Sequence, residues 1–107
     1  MSLSASLKRL LEEAKSITGV DGNVRILLYP MKHKLASISL KTRTIRLNKH
    51  IALKLSEETL RYVIVHELIH LKLKTVSHSL AFHKELEKIY PASVRERIER
   101  DIAGLSY

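Results

Sequence analysis

Leu3, Leu7, Leu10, Leu11, Ala14 and Ile17 recur at helical intervals near the start of the chain, with charged and small polar residues between them. That spacing predicts an amphipathic helix, with Ser2 or Ser4 placed to cap its start and Gly19 to stop it. The period then changes. Val24 to Tyr29 is an apolar, β-prone run that ends at Pro30, and Leu35 to Leu40 alternates as LASISL. Thr44 to Leu47 alternates again, with Ile45 and Leu47 on one face and Thr44 and Arg46 on the other. The KTR segment before it reads as a hairpin turn. The middle of the chain is therefore expected to be a small three-stranded, mainly antiparallel sheet with a basic outer face.

Ser56 supplies a helix N-cap, and Glu57 and Glu58 put negative charge in the first turn. The stretch TLRYVIVHELIHLKL follows without Gly or Pro. Around this helix only Arg61 and Lys72 share a polar stripe. Every other direction holds apolar residues such as Leu60, Ile64, Leu68 and Leu71, so the helix is expected to be buried on almost every side. After the connection Thr75 to His78, Leu80, Phe82, Leu86 and Ile89 mark another helix that stops before Pro91. Val94, Ile98 and Ile102 mark a last one, closed by Gly104. The order is one helix, three strands and three helices, an α+β fold. No repeat, low-complexity tract or linker divides residues 1–107, so one domain is expected.

Composition narrows the chemistry. The chain has no cysteine, so any metal must be held by His, Asp or Glu. Charges interrupt the N-terminal leucines, leaving no apolar stretch for a signal peptide or membrane span, and a cytoplasmic location is expected. The net charge of +8 can attract nucleic acid, acidic lipid or acidic protein. Absence of Gln, with abundant Lys and Glu, is a tilt seen in heat-adapted proteins.

His66, Glu67 and His70 form H-E-x-x-H within the buried helix, where an unpaired carboxylate or imidazolium costs several kcal/mol. Four residues apart, the two imidazoles stand one turn apart on one face and can reach a single Zn2+ at about 2.0–2.1 Å. Glu67 is rotated by about 100° from His66. It is poorly placed as a third ligand and well placed to take a proton from a water on the metal. Zinc lowers the pKa of such a water to about 7 and polarises a carbonyl. The expected reaction is peptide-bond hydrolysis, with Glu67 as base.

A third ligand must come from a later element. The candidates are His78, His83, Glu85 and Glu87. His78, at the N-terminal edge of the next helix, is preferred on context and reach, and His83 comes next. His83 otherwise reads as a partly buried polar residue or a partner to a ligand. Glu85 and Glu87 read as solvated charges beside Lys84 and Lys88, and His33 and His50 as loop residues among lysines.

The stretch YVIVHELIHLKLKTVSHSLAFHKEL, with the sheet before it, resembles the minigluzincins and the related YgjP-like and SprT-like zinc peptidase domains. In the latter two, an H-E-x-x-H helix is followed by a helix opening with His-Ser or His-Gly and then Phe or Trp. That resemblance implies a zincin-like fold with His78 as third ligand, whereas the gluzincin name implies a glutamate, for which Glu85 is the candidate. Minigluzincin-like units also resemble the catalytic domains of HtpX-type membrane peptidases, of which this chain would be a soluble, minimal version. The likeness further implies latency, with C-terminal residues blocking the cleft within one molecule or across a dimer. Asp101 to Tyr107 is the candidate segment, with Asp101 or the Tyr107 carboxylate near the zinc.

Thr44 to Leu47 is the candidate strand for pairing with an extended substrate. A transition-state stabiliser is not separable among Tyr29, Tyr62, Tyr90 and the arginines. The competing function is a basic nucleic-acid or protein-binding module with a structural or inactive zinc site, supported by Lys41, Arg43 and Arg46. Sparse aromatics argue against nucleic acid.

Overall fold

The computed structural model describes residues 3–104, the side chain of Ser4 excepted. A cap at Ser2 or through the Ser4 hydroxyl, and a role for Tyr107, lie outside the described residues. Helix α1 spans Leu3–Thr18 and buries Leu7, Leu10, Leu11 and Ala14 against the central helix. Its end comes where the sequence places it. Gly19 takes φ +76° and donates to the Lys15 carbonyl at 2.9 Å, a left-handed conformation that suits a residue without Cβ.

Strands β1 (Arg25–Tyr29), β2 (Ala36–Ser39) and β3 (Thr44–Asn48) form one sheet in the order β1-β3-β2. β2 and β3 are the expected antiparallel hairpin, turned at Arg43 with φ 51°. β1 instead runs parallel to β3. The sheet is thus mixed, because β3 is inserted between the other two. Ile45 and Leu47, at 0% and 1% exposed, gain cover from a neighbour on each side, whereas the serines of β2 suit an edge. Alternation marks each strand's faces and says nothing of its partners.

A short helix α2 (Lys49–Ala52) follows β3, too brief to announce itself by periodicity. Asn48 starts it and ties down the loop before β2. The Asn48 amide, 1% exposed, donates to the Met31 carbonyl at 3.1 Å and the Lys34 carbonyl at 2.8 Å, while its oxygen accepts from the His50 backbone N–H at 3.0 Å.

Helix α3 (Glu57–Leu73) is capped by the Ser56 hydroxyl, which accepts from Thr59 N–H at 3.2 Å. Ile64, Val65 and Leu68 are 0% exposed, in keeping with a helix covered on nearly all sides. Helices α4 (Leu80–Ile89) and α5 (Ala92–Ala103) complete the fold, burying Phe82 and Leu86 from the first and Ile98 from the second. No helix among the described residues is long and apolar enough to cross a membrane.

Replacing Asn48 by Ala should remove the α2 cap and leave two loop carbonyls without their donor. We expect a loss of about 2–3 kcal/mol in urea-induced unfolding; a loss below about 0.5 kcal/mol would contradict this role.

Candidate active site

The two histidines of α3 differ in surroundings. His70 is 4% exposed, while His66 is half-buried, and their ring centroids are 5.1 Å apart. The helix ends one turn later, where Lys74 adopts the left-handed conformation and reverses the chain. Thr75 then bonds twice to one residue: its N–H donates to the His70 carbonyl at 3.1 Å, and its carbonyl lies 3.0 Å from His70 Nδ1. A carbonyl only accepts, so Nδ1 carries the hydrogen and Nε2 keeps a lone pair. Burial, the largest influence, lowers the His70 pKa below the ordinary imidazole value and favours the neutral form that binds metals.

The same reversal brings His78 back over α3. Its ring lies 5.3 Å from that of His66 and 4.8 Å from that of His70, centroid to centroid. One ring nitrogen from each of the three falls within 4.8 Å of the others. Three imidazoles with no thiolate form a donor set that suits zinc or another divalent transition metal.

From the sequence Phe82 belongs to the apolar face of α4 and matches the Phe that follows His-Ser in the family resemblance. In the fold its ring, 1% exposed, touches all three imidazoles, at 4.9 Å from His66, 4.5 Å from His70 and 4.9 Å from His78. The signal was its place in that motif, just inside the helix that follows His78.

The other candidates are elsewhere. His83 is exposed and outside the three-histidine group, with its ring 5.8 Å from that of Phe82. Glu85 is engaged by Lys72 at 2.9 Å and Lys88 at 3.1 Å, which hold its carboxyl below the usual range, Lys72 foremost. Glu87 lies 4.0 Å from Arg95. His33, His50 and Asp101 are exposed and, among the described residues, belong to no metal-sized cluster.

Glu67 is 7% exposed and has Oε1 3.4 Å from His66 Nδ1. It faces a cavity of about 630 Å³ together with the three histidines, residues 34–38, Tyr62, Glu99 and Ile102. Of the tyrosines left open by the sequence, only Tyr62 lines this space. Its hydroxyl donates to Glu99 Oε1 at 2.7 Å, and burial, then Glu99, pushes its pKa far above the ordinary range. The strand bordering the cavity is β2, which has a free edge. Thr44 to Leu47, expected in that place, lies in the central strand with both edges paired and cannot receive a substrate strand.

Such a fold around such a site defines a small zincin-like metallopeptidase. The YgjP-like metallopeptidase domain model matches residues 2–100, and the chain belongs to that family. Its relatives include MJ0123 of Methanocaldococcus jannaschii, 38% identical over 96 residues that cover 90% of this chain and 87% of that protein. Two crystal structures superpose closely. The metallopeptidase zymogen jannalysin of M. jannaschii has a TM-score of 0.82 at 37% identity, covering 91% of this chain and 93% of its own. The zymogen abylysin of Pyrococcus abyssi has a TM-score of 0.82 at 40% identity, covering 90% of each chain. The chain is a metallopeptidase, and its substrates are peptides or proteins.

Phe82→Ala should destabilise the metal-free protein by about 3–5 kcal/mol through loss of packing against α3 and the three imidazoles. Chemical denaturation checks this, and a cost below about 1 kcal/mol would show that the ring does not support the site.

Proposed function

We propose that the chain is a zinc endopeptidase of the H-E-x-x-H type, with His66, His70 and His78 as metal ligands and Glu67 as general acid–base. The observation that carries this reading is the grouping of three imidazole nitrogens within 4.8 Å beside a buried carboxylate, all facing one cavity. Zinc, when bound, supplies Lewis acidity toward a peptide carbonyl and makes water acidic enough to ionise near neutral pH.

Glu67 accepts the proton lost by the attacking water and hands it to the departing amine nitrogen, so the carboxylate ends the cycle as it began. Thr75 holds His70 in one tautomer and orientation. The free edge of β2 offers backbone N–H and C=O groups to an extended peptide and aligns its scissile bond with the histidines.

Latency belongs to the same reading. Glu99 and Ile102 of α5 form part of the cavity wall, so the C-terminal helix narrows access to the site. The structural matches to two zymogens favour the same regulation here.

Glu67→Ala should retain one bound zinc per chain, measured by metal analysis, and lower kcat by about 10²–10⁴-fold on a peptide library. Unchanged kcat would remove Glu67 from the mechanism. His78→Ala should bind zinc at least about tenfold more weakly. Truncation before Asp101 should raise peptidase activity, and equal activity in full-length and trimmed protein would exclude inhibition by residues 101–107.

A further inference from the structure

Charge is divided unevenly along this chain. Eight of the nineteen Lys and Arg residues lie between Gly22 and Ser56, a stretch with no Asp or Glu. The other eleven are balanced by all eleven carboxylates, so the whole net charge of +8 resides on the sheet, its loops and α2. Ion pairs follow the same division. Among the described residues every one joins side chains of α1, α3, α4 or α5, and none uses one of these eight cations.

Some of the eight have local tasks. Arg43 donates to the backbone carbonyls of Asn23 and Asp21, and Arg46 lies over the Tyr29 ring at 5.6 Å on the outer face of the sheet. Lys32, Lys34 and Lys49 are exposed and come to one end of the sheet, where β1 and β3 finish and β2 begins. Asn48 fixes that end by holding the Met31 and Lys34 carbonyls and the start of α2. Lys34 also lines the cavity that contains His66, Glu67 and His70. A peptide extended along the free edge of β2 therefore continues directly past Lys34.

We propose that this end of the cleft is a subsite for acidic side chains, and that the protein selects polypeptides carrying Asp or Glu beside the segment held along β2. The proposal rests on the peptidase reading above. Uncompensated like charges held close together repel, and an anionic chain laid across them relieves that repulsion. Polypeptide is favoured over nucleic acid because Lys34 lines the cavity bordered by the free edge of β2, which suits an extended backbone, and because the exposed Tyr29 ring at this end, which could stack on a base, has Arg46 over its face.

Fluorescence anisotropy on the full chain tests this with three labelled peptides that share an apolar centre and differ in flanking Glu, Gln or Lys. The Glu peptide should bind about tenfold tighter than the Gln peptide at low ionic strength, with the difference fading near 1 M salt, where the Debye length is about 3 Å. The combined substitution Lys32→Glu, Lys34→Glu and Lys49→Glu should invert the order of the Glu and Lys peptides. Lys34→Gln alone, a milder change, should reduce the Glu preference severalfold. Equal binding of Glu and Gln peptides, or a preference that survives these substitutions, overturns the proposal. Tighter binding of an oligothymidylate of equal charge, lost on the same substitutions, overturns it in favour of nucleic acid. Cleavage of the same peptides, followed by mass spectrometry, is read separately. Selective binding of the Glu peptide with no hydrolysis by either the full chain or the protein truncated before Asp101, each with one equivalent of Zn2+, contradicts the peptidase reading and upholds the acidic subsite.

Discussion

Burying the imidazole of His70 and the carboxylate of Glu67, with His66 half-buried beside them, in the most enclosed helix of a small protein is the constraint from which the rest of the site follows. Each such group loses hydration worth several kcal/mol unless something replaces the water. His70 meets this demand through the carbonyl of Thr75, in a turn made possible by the left-handed Lys74. That turn delivers His78 to the same spot, and Phe82 fills the space against all three rings. Histidine placement, helix termination and packing are one local solution.

The remainder of the fold supplies a rigid back and an accessible front. Helix α1 covers one side of α3 with apolar side chains, while the sheet is anchored through Ile45 and Leu47 of its central strand. Because β3 occupies the middle, β2 is left with a free edge along the cavity. The sheet that borders the cavity is also the part of the molecule that carries the excess positive charge. On the far side of the cleft, α5 is held by the Tyr62–Glu99 bond, the Arg97–Glu58 pair and the buried Ile98. A wall with Ile98 as its one fully buried apolar side chain, and with Val94 and Ile102 only partly buried against the core, is easier to shift than α1 or α3.

Periodicity made the helices and strands legible, since burial on one face leaves a direct trace at 3.6 or 2 residues. The three-histidine grouping was legible for a related reason: four-residue spacing fixes His66 and His70 on one face, and a short connection limits where His78 can go. Strand order was not, because Ile45, Leu47 and the β2 residues alternate in the same manner whichever neighbour they have. Placing the substrate strand at Thr44 to Leu47 was wrong for that reason. Helix α2 is held by Asn48, whose three bonds span the chain from Met31 to His50 and leave no local pattern. The resemblance includes a Phe at the place of Phe82, but its contact with three imidazoles arises only from the fold.

All of this converges on three particular histidines among the six in the chain. Long-range nitrogen-15 correlation spectra of the imidazole rings, recorded as Zn2+ is added to one equivalent, report on each histidine separately. Metal-induced ring-nitrogen shifts are expected at His66, His70 and His78 together, saturating at one ion per chain, with His33, His50 and His83 unmoved. A shift at His83 in place of His78, or at fewer than three rings, would contradict it.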